Sequence, residues 1–442
     1  MADESPGDPR TTPPAGPPDE PTAGAAPPSA AAPGAPAGEE PSRGSGRLGR
    51  TLRGLLLPIL ALFTAFVAGA LIIILTDAEL MTQWTSDPGG AIGGSWAAVA
   101  NSYGALITGS IGDPGRILGA LVTFDWDQIR PTLNPLSETI VSTTPLIFTG
   151  LSVALAFRVG LFNIGAEGQL YLGALFAVIV GFSFTGLPWF VHMPLAVAAG
   201  FVGGALWGFV PGLLKARTGA HEVIVTIMMN FVAYNFVNWA LKTSFIQREG
   251  RSDPISKIVE PTAVLVPIVE GLRAHWGLII ALAAAVFVSW LLFRSTKGFE
   301  FRAVGLNPSA ARYAGMSISW SVVLSMAIAG GLAGLAGASV MLGGSKTLTP
   351  GFSPGYGFDG IAVALIGATR PAGVVAAAFL FGALRAGATP MQAATGTPID
   401  IVIVIQALVI VFIAAPALVR AIYRIRTERV LGTEVFAKGW GS

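Results

Sequence analysis

Cysteine is absent from this 442-residue chain, and histidine occurs only three times. Without cysteine there can be no disulfide and no thiolate metal site, and the three histidines lack the spacing of metal ligands. Charge is also scarce, since 12% of the residues are charged, whereas a soluble globular protein carries roughly 25%. The 52% hydrophobic content and the mean hydropathy of +0.66 therefore predict a membrane protein, for which we expect no metal and no other cofactor.

Enzyme motifs are missing as well. No phosphate-binding loop of the form GxxxxGK followed by Ser or Thr occurs, so the chain cannot hydrolyse ATP by itself, and no HExxH motif of zinc proteases occurs either. The letters at 351–355 match GxSxG, but a nucleophile elbow needs a strand before the serine and a helix after it. Here the serine lies between two predicted membrane segments and is followed by Pro354. We therefore expect no enzymatic activity, and we also expect no nucleic-acid partner.

What the chain does contain is a series of apolar runs of about 20 residues, each long enough to cross a bilayer. We predict an all-α polytopic membrane protein with about ten membrane segments, at 55–75, 139–157, 165–184, 193–214, 223–241, 276–293, 318–341, 358–369, 372–388 and 400–419. The segments at 358–369 and 372–388 are short and are separated by Arg370 and Pro371, which favours half-helices. Between the first two segments, 76–138 is predicted to be an external loop with interfacial helices, such as one around 96–108.

Composition divides the chain into three regions. Residues 1–46 are rich in Pro, Ala and Gly and contain no aromatic residue, so we predict a disordered cytoplasmic tail. Residues 47–425 form the predicted transmembrane domain, and 426–442 form a second cytoplasmic tail. Basic residues before the first segment favour a cytoplasmic N-terminus, and an even number of segments then returns the C-terminus to the cytoplasm.

Two clusters of small residues predict close helix crossings. The first cluster has glycines at 200, 204, 208 and 212, which lie on one helix face, and the second has glycines at 330, 331, 334 and 337. Small residues at such spacing allow helix backbones to approach each other in a membrane. We expect these clusters to serve packing and to carry no chemistry.

The stretch GLFNIGAEGQLYLG at 160–173 places polar side chains between two apolar runs. Asn163, Glu167 and Gln169 fall within a few residues of one another, among several glycines. Such a density of polar groups is costly at membrane depth unless the groups face protein, water or a ligand. The stretch is therefore interpreted either as a broken membrane segment that lines a polar path or as an ordinary turn between two spans.

A second stretch, SPGYGFDGIAVALIGATRPAG from residue 353, has a similar design on the opposite side of the membrane. Each stretch places a Gly-rich, polar break before an apolar segment rich in Ala and Gly. Opposed repeats with interrupted helices are how many transporters build a site at the middle of the bilayer. The pair therefore indicates an inverted internal repeat with broken helices, although a chance match between Gly-rich loops explains it equally well.

If the two breaks face each other, the side chains near them line the path of a transported molecule. Phe162 and Phe358 would offer aromatic faces on which a base or a sugar could stack. The candidates for the path are Phe162, Asn163, Glu167, Gln169, Asn230, Phe358 and Asp359.

The loop 294–317 is predicted to display a short helix on the inner face. Asn307 can cap this helix, Pro308 suits its first turn, and Gly315 can end it. A short amphipathic helix flanked by Arg302 and Arg312 suits docking into a soluble partner, and a plain surface helix is the equal alternative.

Three motifs together resemble one family. GLFNIGAEGQ at 160–169, GLNPSAARYAGM at 305–316 and SPGYGFDGIAVALIG at 353–367 resemble the permease subunits of bacterial ABC importers of the nucleoside, simple-sugar and branched-chain amino acid type. The resemblance covers about 50–425, is closest to the nucleoside branch, and does not include the Pro-rich tail.

The resemblance implies a multi-pass protein of the bacterial plasma membrane that forms half of a translocation path. It implies three protein partners: an ATP-binding-cassette ATPase, a second related permease, and an external substrate-binding lipoprotein of the basic-membrane-protein type. Membrane lipid is the remaining expected partner. The coupling helix for the ATPase would involve Gly305, Asn307, Pro308, Ala310, Ala311, Arg312 and Gly315.

The main alternative is a secondary transporter or channel that is driven by an ion gradient and needs no ATPase. Such proteins often carry the coupling ion on intramembrane carboxylates. Glu167, Glu222 and Asp359 are the candidates for this role.

Overall fold

A computed structural model describes residues 47–123 and 126–424. The tails predicted at 1–46 and 426–442 lie outside the described residues. The chain divides into two units, 1–51 and 52–442, and only the beginning of the first helix is described in the first unit.

Helices account for nearly all of the described residues of the second unit, which contain two isolated β-bridges and no strand. The first eight helices are α1 (Arg47–Thr76), α2 (Ala78–Ser86), α3 (Pro88–Ile111), α4 (Pro114–Thr123), α5 (Trp126–Arg158), α6 (Ala166–Ser183), α7 (Trp189–Thr218) and α8 (Glu222–Ala240). The next eight are α9 (Gly277–Arg294), α10 (Thr296–Leu306), α11 (Pro308–Tyr313), α12 (Ile318–Val340), α13 (Tyr356–Ile366), α14 (Pro371–Thr395), α15 (Asp400–Ala414) and α16 (Pro416–Ile422).

Eight of these helices are long and apolar enough to cross a membrane, namely α1, α5, α6, α7, α8, α9, α12 and α14. Two shorter apolar helices, α13 and α15, complete the set. These ten helices correspond one to one with the ten predicted segments. The all-α, polytopic fold class is thus confirmed.

The prediction of an external loop with interfacial helices at 76–138 needs correction, because this region is largely helical and its longest helix packs into the bundle. It contains α2, α3, α4 and the first turns of α5. Helix α3 has 24 residues and packs along α14, where the carbonyl of Leu106 lies against Gly387. The Tyr103 hydroxyl donates a hydrogen bond to the carbonyl of Phe66 in α1 (2.6 Å), so α3 belongs to the helix bundle. Its many Gly, Ala and Ser residues are only weakly apolar, which concealed it in the sequence.

A second correction concerns α14. The short predicted segment 372–388 is the beginning of a full-length helix that continues to Thr395, whereas α13 is the half-helix. Arg385 and Pro390 interrupt the apolar run of α14 and made it look short.

A close helix crossing joins α7 to α12 through the two glycine clusters. A Cβ atom added to Gly204 would overlap the carbonyl oxygen of Gly330, and one added to Gly334 would overlap the carbonyl oxygen of Gly200. The two backbones therefore touch without intervening side chains, as the small-residue spacing predicts. Helix α6 joins the same crossing, where Gly173 packs against Gly334.

Loops cover one end of the bundle in an ordered way. The amide of Val259 donates to the carbonyl of Lys346 (3.0 Å), and the amide of Leu265 donates to the carbonyl of Leu342 (3.0 Å). His275 is buried just before α9, and its Nδ1 accepts a hydrogen bond from the amide of Gly277 (3.1 Å). We call the opposite end of the bundle, where α5 finishes, the Arg158 end.

Candidate functional site

The break after α5 begins where Gly160 adopts a left-handed backbone conformation (φ +80°). The chain then turns back along α5, and α6 starts at Ala166. Asn163 shapes this return, since its Oδ1 accepts a hydrogen bond from the amide of Gly165 (3.1 Å) and its Nδ2 donates to the hydroxyl of Ser152 (3.3 Å). The break is therefore a built element and not a loose turn.

Asn163 and Gln169 hydrogen-bond to each other in both directions. Asn163 Nδ2 donates to Gln169 Oε1 (2.9 Å), and Gln169 Nε2 donates to Asn163 Oδ1 (3.0 Å). The two side chains are 0% and 1% exposed. Both amides are thus enclosed by protein and partnered, as buried polar groups must be. That either contacts a substrate stays a prediction, and in this conformation their observed role is to hold the break.

Asn230 ties the same break to α8. Its Nδ2 donates to the carbonyl of Ile164 (2.9 Å), and its Oδ1 accepts from the amide of Gly168 (2.8 Å). This half-buried side chain satisfies backbone groups that the interrupted helix leaves free. Asn230 is therefore placed beside the break, as the sequence suggested, with both polar atoms in use.

The N-termini of α6 and α13 meet, and we call their meeting point the half-helix junction (Glu167, Ser353, Tyr356, Asp359 and Arg385). Glu167 Oε2 accepts a short hydrogen bond from the amide of Gly357 (2.6 Å) and another from the Ser353 side chain. A Cβ at Gly357 would overlap the backbone of Glu167, so only glycine permits this approach. The two predicted breaks, almost 200 residues apart in sequence, are thereby joined.

Arg385 on α14 completes the half-helix junction. Its Nη2 lies 3.0 Å from Asp359 Oδ2 and also donates to the carbonyl of Pro354 (3.2 Å). Its guanidinium stands 4.7 Å from the centroid of the Tyr356 ring, and its Nη1 is buried without a partner among the described residues. The sequence analysis missed Arg385, although a single arginine inside an apolar span is a signal for a functional site.

The depth of the half-helix junction follows from its neighbours on α5. Gly360 of α13 packs against Thr149, and the carbonyl of Thr369 just after α13 bonds to Arg158. Residues 149 and 158 are about 13 Å apart along the helix, at ~1.5 Å per residue. That is close to half of the roughly 30 Å hydrocarbon thickness of a bilayer.

From this depth α13 runs toward the Arg158 end. Helix α6 runs the other way, to Gly181 beside Val259 and Leu342. Helix α6 and the half-helix α13 therefore start side by side, about 13 Å along α5 from Arg158, and run in opposite directions, with Glu167 and Asp359 near their positive ends. The geometry creates a charged, hydrogen-bonding centre inside an apolar bundle.

The two predicted aromatic residues have different surroundings. Phe358 is 49% exposed on α13, next to Asp359. Phe162 instead packs on Phe157 of α5 (4.7 Å between ring centroids), close to the Arg158 end. Only Phe358 presents an open aromatic face beside the half-helix junction.

The predicted coupling segment forms the expected short helix, α11. Asn307 Oδ1 caps it by accepting from the amide of Ala310 (3.0 Å), and Gly315 follows it with φ +80°. Ala311 is buried, so its side chain cannot enter a groove on a partner. Tyr313, which the sequence analysis did not select, is 97% exposed.

Gly305 links this segment to the break. A Cβ at Gly305 would overlap the carbonyl of Arg158, and Gly160 packs against Gly305 from the other side. The remaining predicted coupling residues, Pro308, Ala310 and Arg312, are exposed around α11. Gly305, near the end of α10, thus connects the segment before α11 to the beginning of the break through backbone contacts.

Two cavities lie elsewhere, on the sides of α3. One of about 640 Å³ opens between the end of α1, α3 and the α14–α15 loop, and one of about 480 Å³ lies near Arg116 and Pro390. Neither includes a residue of the half-helix junction. Within the described parts of the chain, no group of three or more His, Asp or Glu residues is placed to hold a metal ion.

Comparison with known proteins agrees with this arrangement. Residues 136–414 match the family described as branched-chain amino acid transport system / permease component. The chain is 40% identical over 376 residues to the guanosine ABC transporter permease protein NupP of Bacillus subtilis, which covers 84% of this chain and 96% of that protein.

Two further relatives carry related names. The nucleoside ABC transporter permease protein NupB of Lactococcus lactis is 39% identical over 63% of this chain and 79% of its own length. A glucose ABC transporter permease protein of Haloferax volcanii is 36% identical over 63% of this chain and 75% of its own length. No solved structure matches the chain. The family match spans more than half of the chain, and the first relative is 40% identical over 84% of it. The chain therefore belongs to the permease components of the branched-chain amino acid transport family, as a membrane subunit of an ABC importer.

Proposed function

We propose that this permease subunit carries a nucleoside across the membrane and that the half-helix junction lies on the nucleoside's path. The single observation that carries the proposal is the meeting of the N-termini of α6 and α13 inside the helix bundle, where Glu167, Asp359 and Arg385 come together. The 40% identity to a guanosine permease over nearly its whole length supports the choice of a nucleoside.

The chemistry of the half-helix junction suits a neutral, hydrogen-bonding solute. The carboxylates of Glu167 and Asp359 can accept from the ring N–H and amino groups of a base or from ribose hydroxyls. The unpartnered Nη1 of Arg385 can donate to a carbonyl of the base. Phe358, exposed beside them, offers a face for stacking.

In this proposal, the other components of the importer are separate proteins. An ATPase docks on the exposed surface of α11, and ATP hydrolysis belongs to that subunit and not to this chain. A second permease closes the path beside the exposed faces of α8 and α13, and an external lipoprotein delivers the nucleoside. The Arg158 end faces the cytoplasm, as the basic residues there favour.

Coupling then follows from contacts within this chain. Closure of the ATPase moves α11, and the Gly305–Arg158 contact passes this movement to the break before α6. Since α6 and α13 are joined by the Glu167–Gly357 hydrogen bond, their relative movement changes access to the half-helix junction. Two conformations that differ in affinity for the nucleoside are enough to drive transport.

The proposal is tested by reconstitution in liposomes of this chain with an ATPase, a second permease and a substrate-binding lipoprotein from the same organism. We expect uptake of radiolabelled guanosine that requires ATP and all four proteins and that excess unlabelled nucleoside, but not glucose, suppresses. If glucose suppressed uptake and unlabelled nucleosides did not, the transported substrate would be a sugar. Uptake by this chain alone under a proton or sodium gradient would support the secondary-transporter alternative and refute the importer mechanism.

A further inference from the structure

The Arg158 end carries a cluster of three arginines, two of which lie over one aromatic ring. The guanidinium carbons of Arg158 and Arg302 both lie 5.6 Å from the centroid of Phe293, and Arg370 is close enough to oppose the charge of Arg158. We infer that Arg158, Arg302 and Arg370 form a binding site for the anionic headgroup of a membrane phospholipid, with its acyl chains along α9. We call these three residues the arginine cluster.

The charge of the arginine cluster is not neutralised from within the chain. None of its members forms an ion pair with a carboxylate in the described ranges. The neighbouring carboxylate, Glu300, is occupied by Lys297 (2.9 Å). Three guanidinium groups that repel one another without a counter-charge are stabilised by a bound anion.

One member of the arginine cluster is held in place by the backbone. Arg158 Nε donates to the carbonyl of Thr369 (3.2 Å), and its Nη2 lies 3.5 Å from the carbonyl of Ala368. Both Ala368 and Thr369 adopt left-handed conformations (φ 50° and 52°), which residues other than glycine rarely do. An arginine has five N–H donors, so these bonds leave donors over for the oxygens of a phosphate.

The apolar surface next to the arginine cluster fits acyl chains. Helix α9 exposes Val286, Phe287, Trp290 and Phe293, at fractions between 41% and 70%. The spacing of residues 286, 290 and 293 places three of them on one face of the helix, and this face ends at the ring beside Arg158 and Arg302. A charged headgroup site continuous with an exposed apolar helix face has the chemistry of a phospholipid and not that of a soluble partner, whose docking surface would be rimmed by polar residues.

The position of the arginine cluster at the ends of helices agrees with a phospholipid as its ligand. Arg158 is the last residue of α5, and Phe293 is in the last turn of the candidate span α9. Basic side chains at helix ends lie at the level of lipid headgroups, and each one that contacts the same headgroup contributes about five-fold to the binding of an anionic lipid (~1 kcal/mol). An isolated arginine at the end of another helix does not share that headgroup and does not add to this site. The arginine cluster therefore selects phosphatidylglycerol or cardiolipin over phosphatidylcholine.

The test uses the assembled importer in nanodiscs of phosphatidylcholine titrated with phosphatidylglycerol, with retained lipids counted by native mass spectrometry. We expect preferential retention of phosphatidylglycerol by the unaltered protein and about five-fold weaker retention for each of Arg302→Gln and Arg370→Gln. These two exposed or half-exposed arginines are chosen because Arg158 also holds backbone, so its removal could disturb the fold. Arg217→Gln is the matched control, since Arg217 is an exposed arginine at the end of α7 that contacts no aromatic ring.

Three results would overturn the inference. Equal retention of the two lipids by the unaltered protein would show that there is no headgroup site. An equal loss in Arg217→Gln would show that general surface charge is responsible. Loss of the ATPase from Arg302→Gln or Arg370→Gln with unchanged lipid retention would assign the arginine cluster to a protein interface.

Discussion

At the half-helix junction one arginine faces two carboxylates. Arg385 pairs with Asp359 at 3.0 Å, and its charge also acts on Glu167. A partly buried ion pair adds little stability over an apolar pair, but the loss of one partner leaves an uncompensated charge that costs about 3–5 kcal/mol. The charge balance is therefore more important than either charge alone.

We expect Arg385→Gln to lower thermal stability in detergent and to reduce nucleoside uptake by at least about 10-fold, because Asp359 and Glu167 lose their counter-charge. The double variant Arg385→Gln/Asp359→Asn should regain most of the stability while uptake stays low. Thermal melting and uptake in the reconstituted importer measure both effects. Arg251→Gln is the control, since it breaks an exposed ion pair with Asp253 in a loop. Normal uptake in Arg385→Gln would show that Arg385 is not on the path.

His275 predicts a pH dependence. Burial and the nearby charge of Arg273 lower the pKa of His275 to about 4 from its ordinary value of 6.5. The folded protein keeps the ring neutral, whereas the unfolded chain takes up a proton below pH 6.5. The free energy of unfolding therefore falls as the pH drops from 6.5 to about 4. Below about pH 4 both states bind the proton, and His275 causes no further loss.

At pH 5.5 the loss from His275 should be on the order of 1 kcal/mol. Melting temperatures of the purified protein between pH 7 and pH 4.5 measure it. His275→Gln should flatten this part of the pH profile. An unchanged profile in that variant would mean that other groups dominate.

At the scale of single residues, the sequence indicated where polar groups gather but not how they pair. Asn163, Glu167, Gln169 and Asn230 were all selected because amides and carboxylates are expensive in a membrane. The structure shows that the three amides satisfy one another and the backbone, whereas the carboxylate reaches across to the second break. Pairing between distant residues depends on the folded geometry, which a single sequence does not contain.

Among the helices, the crossing of α7 and α12 depends on glycine. We expect Gly334→Ala to lower the yield of folded protein and to cost about 1–3 kcal/mol or more, because its Cβ meets a backbone carbonyl that cannot move aside. Gly104→Ala is the matched control, since a Cβ there meets nothing within 4 Å and alanine favours the helix by about 0.5–1 kcal/mol. Size-exclusion profiles and melting temperatures compare the two, and equal behaviour would contradict the tight crossing.

Hydropathy located all ten apolar helices because burial in lipid demands long apolar runs whatever the tertiary fold. It failed for α3, whose small residues pack against α14 without being strongly apolar, and it shortened α14, where Arg385 lies inside the span. In both helices, contacts with neighbouring helices accommodate weakly apolar or charged residues that would be unfavourable in contact with lipid. The same dependence on tertiary context explains why the sequence could not tell which side of α11 faces inward.

For the whole importer, the exposed surface of α11 is the proposed docking site of the ATPase. We expect Tyr313→Ala to weaken association with the ATPase by about 2 kcal/mol or more, because an aromatic ring that is 97% exposed can act as an interface anchor. Co-purification and ATP-dependent uptake measure the effect. Trp96→Ala is the control, since Trp96 is a similarly exposed aromatic residue on α3. Ala311→Glu is unsuitable, because Ala311 is buried and a charge there would disturb the fold.

The crossing of α7 and α12, in which the two backbones touch without intervening side chains, has a consequence for biosynthesis. Its two halves, Gly204 and Gly334, are separated by about 130 residues, which a ribosome needs on the order of 10 s to add. Until α12 emerges, the grooved face of α7 has no companion that fits it and must rest against lipid or an insertion factor. Assembly of this subunit is therefore finished late, and a nascent chain that is cut short before α12 would be recognisable to quality-control proteases by that unfilled groove.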